Sequence, residues 1–322
     1  MSNIITHHID LDRNPYNFKQ NRIAYKQMLN LIREEKFDVI HCNTPIGGLL
    51  GRLCGKKAKV PKIIYTAHGF HFYQGAPLIN WLLYFPAERF LARDTDVLIT
   101  MNKEDYERAK KYFNSCQLEY IPGIGINTQE IEIDRNKKRP ELQIPEETMV
   151  LLSVGEMIER KNHETALRAL AKLENQNYLY LICGRGKLES YLKKRAEELG
   201  IEDRVKFLGF RNDISEICIA SDIFVFPSFQ EGLPVAVMEA MAAGLPVVGS
   251  SIRGNVDLIQ NGEGGFLIKP NDIEGFSKSI DEIMRDSALR RTMGLRNLNE
   301  AKKYDVEIVK NRMQEIYNSV LA

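Results

Sequence analysis

Two carboxylates in one short stretch have the types and spacing for chemistry. In "SFQEGLPVAVMEAMAAGLPVV", Ser228 to Val248, Glu231 and Glu239 flank a Gly-Leu-Pro turn, and the stretch ends in an apolar run. A carboxylate accepts hydrogen bonds from two hydroxyls at once, each charge-assisted bond contributing about 1.5 to 3 kcal/mol. Ribose and hexose both present such hydroxyl pairs. "IFVFPS" just before Glu231 reads as a strand, and the fixed φ of Pro234 suits the first turn of a following helix. The N–H groups of Gly232 and Leu233 then lie at the positive end of that helix, a cradle for phosphate. Glu239 falls about one and a half turns inside it. One glutamate before the helix and one within it, on either side of a diphosphate-binding turn, match the length of a nucleotide sugar. As a bare spacing the pair also describes a solvated loop residue and a surface helix position; the strand, the turn and the small-residue helix "EAMAAG" favour the ligand.

These residues need elements to hold them. From Thr148 onward "TMVLLSV", "YLYLIC", "RVKFL", "IFVF", "PVVGS" and "FLI" alternate with helical segments such as "HETALRALAKL" and "GKLESYLKKRAEELG". That rhythm predicts a parallel sheet wrapped by helices, because parallel strands need crossover connections. The first part repeats it with "FDVIHC", "KIIYTA", "DVLIT" and "LEYI", spaced by helices near Lys19 to Glu34, Leu78 to Arg93 and Lys103 to Phe113. The expected organisation is a first Rossmann-like domain over residues 1–125, a linker of little periodicity over 126–147, and a second over 148–304. A last amphipathic helix over 305–322 is expected to cross back to the first domain.

Bulk properties restrict the function classes. With 44 basic and 43 acidic side chains in 322 residues the chain is nearly neutral, with no overall footprint for a nucleic-acid backbone. A hydrophobic fraction of 44% with 27% charged residues is that of a soluble protein with room for two domains of roughly 150 residues each. The longest apolar runs, such as "LINWLLYF", are too short to span a bilayer, and the polar start has no signal-peptide core, so a cytoplasmic location is expected. Five cysteines without a C-x-x-C pair read as reduced thiols rather than as disulfides or a zinc site.

The Glu231–Glu239 segment resembles the E-x7-E motif of the retaining GT-B glycosyltransferases of glycosyltransferase family four. "SVGEMIERKNHETALRAL", "LICGRGKLE", "VKFLGFRNDISEI", "SDIFVFPS" and "GLPVVGSSIRGNVDLI" agree with it in order and spacing. The first part adds "DVIHCNTPIGGLLGRL", "TAHGFHFYQGAPLINWLLYFPAE" and "TDVLITMNKEDYERAKKYF", similar to the exopolysaccharide and capsule branch, so the resemblance covers nearly the whole chain. It implies an α/β GT-B fold, two doubly wound domains facing a cleft. It implies a metal-independent hexosyltransferase using a nucleoside-diphosphate sugar, a UDP-sugar by expectation, with a saccharide or polyprenyl-diphosphate-linked acceptor. By the same resemblance Glu239 holds the ribose and Glu231 the donor hexose, with main-chain donors from Gly232 and Leu233. Lys161, with help from Arg160, meets the diphosphate and stabilises the leaving group. His68 in "TAHG" touches the transferred sugar, with His71 a weaker candidate; Gly209, Phe210 and Arg211 hold the base, and Arg185 lines the same site.

Two departures from the family pattern stand out. Glu156 occupies a position where many members carry an arginine after "VG", and the chain starts near what looks like the family's third strand, "NIITHHID". The first domain is therefore expected to be incomplete, to leave "FDVIHC" with an unpaired edge and to need a partner chain there. A non-catalytic or weakly active nucleotide-sugar-binding subunit is the alternative reading, and a UDP-sugar 2-epimerase a third. "DTD" at Asp94 to Asp96 imitates a metal-binding D-x-D but opens a strand; Asp10 with Asp12 has no better claim to a metal, and "GRG" at Gly184 to Gly186 lacks the rest of a dinucleotide fingerprint. "PLINWLLYFPAERFLARD" mixes apolar, aromatic and basic residues either as an interfacial helix in peripheral contact with the inner face of the membrane or as a core helix around Trp81.

Overall fold

The computed structural model describes residues 4–12, 14–128 and 135–322. It divides into two compact units, Met1–Pro122 with Met313–Ala322, and Gly123–Arg312. The first unit runs α1 (Phe18–Glu35), β1 (Val39–Asn43), α2 (Pro45–Ala58), β2 (Lys62–Ala67), α3 (Leu78–Leu91), β3 (Val97–Thr100), α4 (Lys103–Tyr112) and β4 (Gln117–Tyr120). Its four strands are parallel in the order β1-β2-β3-β4, since each pair is joined by a helical crossover. The central strands "KIIYTA" and "VLIT" are almost wholly buried, as a sheet covered on both faces requires.

β1 is an edge: no strand among the described residues pairs with its outer side. "NIITHHID" is not a strand over its described residues, Ile4 to Asp10; with no ladder beside it, it stays irregular. Its end is tied instead by side chains, the Asp10 N–H donating to Gln27 Oε1 at 2.9 Å and Gln27 Nε2 to the Asp10 carboxylate at 2.7 Å. "DTD" is likewise structural. Asp94 pairs with Lys56 at 2.6 Å and the Asp96 carboxylate accepts the Ile63 N–H at 2.7 Å.

The second unit contains α5 (Arg135–Glu141), β5 (Met149–Val154), α6 (His163–Leu170), β6 (Tyr178–Cys183), α7 (Glu189–Glu198), β7 (Val205–Gly209), α8 (Ile214–Ala220), β8 (Ile223–Phe226), α9 (Val235–Ala242), β9 (Val247–Ser250), α10 (Asn255–Leu258), β10 (Gly265–Ile268), α11 (Ile273–Arg285) and α12 (Ser287–Ala301). All six strands are parallel in the order β10-β9-β8-β5-β6-β7. The chain winds outward one way from β5 and the other way from β8, so the direction reverses between these two strands. In such a sheet the loops beyond the carboxyl ends diverge at the reversal and leave room for a ligand.

Over its described residues the stretch 126–147 groups with the second unit. Residues 129–134 lie outside the described residues, but both flanks are held in the second unit. The Ile126 N–H donates to the Tyr304 carbonyl at 2.9 Å, and Arg139 on α5 reaches the Ala220 carbonyl at 3.1 Å and Asp222 at 2.7 Å. Sequence periodicity overlooked α5 because buried charge rather than an apolar stripe anchors it. The last helix, α13 (Val306–Leu321), starts in the second unit, and its residues from Met313 onward belong to the first. There Tyr317 bonds His41 Nδ1 at 2.6 Å, while His41 Nε2 meets the Thr66 hydroxyl at 2.7 Å.

Candidate functional site

The strand β8 "IFVF" is fully buried, and the chain leaves it through Pro227 and Ser228 into the turn that carries Glu231. Pro234 caps α9 rather than opening its first turn, one position earlier than expected, with φ −78° and ψ 116°. Glu239 sits on the fifth residue of α9. On the other side of the reversal point, β5 passes through Gly155 and Glu156 into a single 3-10 turn, Glu159–Lys161, just before α6.

These two loops are bonded to each other. The Phe229 N–H donates to the Arg160 carbonyl at 2.8 Å, and Asn162 Nδ2 donates to the carbonyls of Pro227 at 2.9 Å and Pro270 at 3.0 Å. Lys161 Nζ meets Glu231 Oε1 at 2.8 Å, and Arg160 meets the same oxygen at 3.0 Å and the Gln230 carbonyl at 2.9 Å. Glu231 is only 9% exposed, so a carboxylate there must have cationic partners. Lys161 also lies 4.8 Å from the centre of the Phe226 ring, which shields one side of its ammonium.

Glu239 differs from Glu231 in kind. It is half-buried, and its carboxylate has neither a hydrogen-bonding nor an ion-pair partner among the described residues. Burial raises its pKa above the ordinary 4.5. Among the described residues nothing offsets that partial desolvation.

The remaining expected residues follow β6 and β7. The Gly155 N–H donates to the Cys183 carbonyl at 2.8 Å and the Gly184 N–H to the Gly209 carbonyl at 2.7 Å, so the loops after β5, β6 and β7 lean on one another. Gly184 has φ +148°, and a Cβ there would lie 1.9 Å from the Gly155 oxygen, which is why a glycine stands at this crossing. Arg185 is exposed beside Gly209, and Phe210 is exposed beyond it. Arg211 is engaged by Asp213, Nε to Oδ1 at 2.8 Å, and by Glu141 at 3.6 Å, so its guanidinium serves the loop first. Gly232 and Leu233 lie in the turn next to Glu231, half-buried. His68 belongs to the first unit, just after β2 with part of its side chain open to solvent and Nε2 3.3 Å from Asn43 Oδ1; partial desolvation of its ring holds its pKa below 6.5. His71 stacks on Tyr84 at 4.6 Å between ring centres.

Three residues that sequence reasoning passed over complete the arrangement. Asn162 staples the two loops. Arg253, after β9, is buried and donates from Nε to the Glu231 carbonyl at 3.1 Å. The clue was a basic residue beside a glycine at the end of a strand, in "SSIRGN". His163 is buried behind Lys161, neither ring nitrogen in a well-formed hydrogen bond, and burial together with the Lys161 charge lowers its pKa to about 4. Among the described residues no group of three His, Cys, Asp or Glu side chains could hold a metal ion.

Comparison with known proteins gives this geometry a family. A model described as glycosyl transferases group 1 matches residues 134–299, and one described as glycosyl transferase 4-like matches residues 2–102. The putative glycosyltransferase EpsD of Bacillus subtilis is 35% identical over 322 residues, covering 97% of this chain and 84% of the relative. The UDP-Gal:alpha-D-GlcNAc-diphosphoundecaprenol alpha-1,3-galactosyltransferase of Escherichia coli is 33% identical over 272 residues, 81% of this chain and 70% of the relative. Among solved structures, Anabaena Alr3699/HepE in complex with UDP and glucose superposes with a TM-score of 0.81 at 21% identity, covering 96% of this chain and 84% of that one. A sucrose-phosphate synthase from Thermosynechococcus elongatus superposes at 0.83 with 20% identity, over 98% and 85%. At these identities the likeness establishes the fold, two Rossmann-like domains of the GT-B type.

Proposed function

Because this chain belongs to the group 1 glycosyl transferases and is a glycosyltransferase by that membership, we propose that it moves a hexose from a UDP-sugar, with retention, to a saccharide or lipid-linked saccharide in surface-polysaccharide synthesis. The observation that carries the reading is the pairing of an unpartnered, half-buried Glu239 with a Glu231 clasped by Arg160 and Lys161. In this reading Glu239 accepts the two ribose hydroxyls, and Glu231 accepts from the hexose. The N–H groups of Gly232 and Leu233 at the start of α9 and the charge of Lys161 receive the diphosphate. Gly209, Phe210 and Arg211 border the base with Arg185, and His68 of the first unit touches the transferred sugar.

The reaction needs no residue as nucleophile. The acceptor hydroxyl forms its bond to the anomeric carbon on the face from which UDP departs; the carbon–oxygen bond to the diphosphate breaks, and the hydroxyl proton passes to the departing phosphate oxygen. What the protein supplies is position and charge, with the Lys161 ammonium opposite the growing negative charge of the leaving group. The names of the relatives support the donor and acceptor classes, since the Escherichia coli protein is a UDP-Gal transferase acting on a diphosphoundecaprenol and the Anabaena structure holds UDP and glucose.

Calorimetric titration of UDP and UDP-sugars into the purified chain tests the site. Binding should be weakened roughly 10- to 100-fold by Glu239→Ala, the loss of one or two charge-assisted bonds. Lys161→Ala should lower the turnover number more than the affinity for the sugar. Absence of UDP binding to folded protein would remove the assignment, and an inverted anomeric product would remove retention.

A further inference from the structure

A second cleft lies in the second unit, between α6 and α7. Its volume is about 420 Å³, within the range of small-molecule sites. None of Glu231, Gly232, Leu233, Glu239 or Lys161 lines it, so it is separate from the arrangement described above. Its apolar lining comes from Ile158, Leu188 and Leu192. Two aromatic side chains join them and stay open to water, Phe229 at 42% and Tyr191 at 47% exposure.

The polar groups of this cleft are of both kinds. Arg168 and Asn271 are exposed, and neither side chain has a hydrogen-bonding or ion-pair partner among the described residues. Arg168 offers donors only, and the Asn271 amide offers both donors and an acceptor. Glu159 and Glu164 bring carboxylates that are already engaged, Glu159 by Lys187 at 3.0 Å and Glu164 by the Tyr191 hydroxyl at 2.7 Å and Arg195 at 3.4 Å. His163, 4% exposed, lines the same cleft with neither ring nitrogen in a well-formed hydrogen bond. A hydroxyl that met that ring would offset its desolvation. Open aromatic rings select a ligand with C–H faces, unpaired donors beside acceptors select groups that do both, and balanced charge selects a neutral molecule. A pyranose has all three properties, since its C–H bonds pack on aromatic rings while its hydroxyls give and receive hydrogen bonds. Phosphate fits less well, because Glu159 and Glu164 stand beside Arg168 in the same lining. We propose that this cleft is a second carbohydrate site, holding a neutral saccharide unit apart from the donor sugar. The proposal involves no residue assigned to the donor, so it stands or fails separately from the transfer reaction.

Methyl-resolved NMR of the full chain, titrated with glucose, galactose, N-acetylglucosamine and lactose, tests it directly. At least one of these sugars should shift the methyl signals of Ile158, Leu188 and Leu192 saturably, and equally with or without UDP present. Tyr191→Ala should weaken that binding about 10-fold through loss of its ring, and Asn271→Ala about 3- to 10-fold through loss of its hydrogen bonds. Both variants should keep the parent's thermal midpoint and UDP affinity, since both side chains are exposed. No saturable shift with any of these sugars, or shifts that neither substitution weakens, overturns the proposal. So do shifts of the same methyl signals produced by inorganic phosphate and not by the sugars, which would make the cleft an anion site.

Discussion

At the scale of single residues, the two glutamates of one motif have opposite electrostatic situations. Glu231 is buried and held by two cations, whereas Glu239 is half-buried and has no partner among the described residues. A carboxylate whose pKa is raised by burial costs the fold nothing below the ordinary 4.5 and progressively more as the pH rises through its own folded-state value. Glu239→Gln should therefore leave the protein at least as stable at neutral pH while weakening UDP affinity roughly 10-fold or more, a divergence that a thermal melt and a titration measure together. Loss of both stability and affinity would place Glu239 among structural residues. His163 gives a second residue-scale expectation. With a pKa of about 4 in the fold against the ordinary 6.5, it is neutral at pH 7. Its neutral burial contributes stability that is complete above 6.5 and is lost as the pH falls toward 4, a loss on the order of 3 kcal/mol. His163→Phe should flatten that part of the stability profile in urea unfolding measured across the range; an unchanged slope would assign it to other groups.

At the scale of elements, the site is the product of loops braced on one another. The loop after β9 touches the turn before α9 backbone to backbone. Gly254 has φ +82°, and a Cβ on it would lie 2.3 Å from the Gly232 oxygen. Gly254→Ala is expected to destabilise by about 1 to 3 kcal/mol through a left-handed alanine and the clash. It should also weaken UDP binding, since the displaced turn carries Glu231, Gly232 and Leu233. A melt and a titration of that variant check both effects, and unaltered UDP binding would show that the turn is not part of the donor site. The strands were legible as β-branched runs, because a parallel strand covered on both faces must be apolar throughout. α5 was not legible, since its Arg139 is anchored by Asp222 and by carbonyls distant in the chain. "NIITHHID" reads as a strand by composition and is not one over its described residues, because a strand is defined by a partner and none lies beside it.

At the scale of the whole molecule, the two units are built alike but are differently finished. Among the described residues the second has six strands wound both ways from the β5–β8 reversal, and the first has four in simple order with β1 at an edge. The first unit also carries exposed apolar side chains on α3, such as Leu78 and Leu82. Among the described residues no helix is long and apolar enough to cross a membrane.

By itself the amino-acid sequence determined the alternation of strands and helices, the turn with its two glutamates and the kinship those segments declare. Each is encoded in neighbouring residues, through apolar periodicity, glycine and proline. Tertiary structure alone decided that the loop after β5 meets the loop after β8, that Lys161 and Arg160 converge on Glu231, that Arg253 supports the turn from behind and that Glu239 is left without a partner. It also decided which side of α3 faces inward, since the helix is apolar all round and carries no stripe from which its orientation could be read. The pairings of Lys161 and Arg160 with Glu231 join residues 70 and 71 positions apart and depend on strand order, which local sequence does not encode.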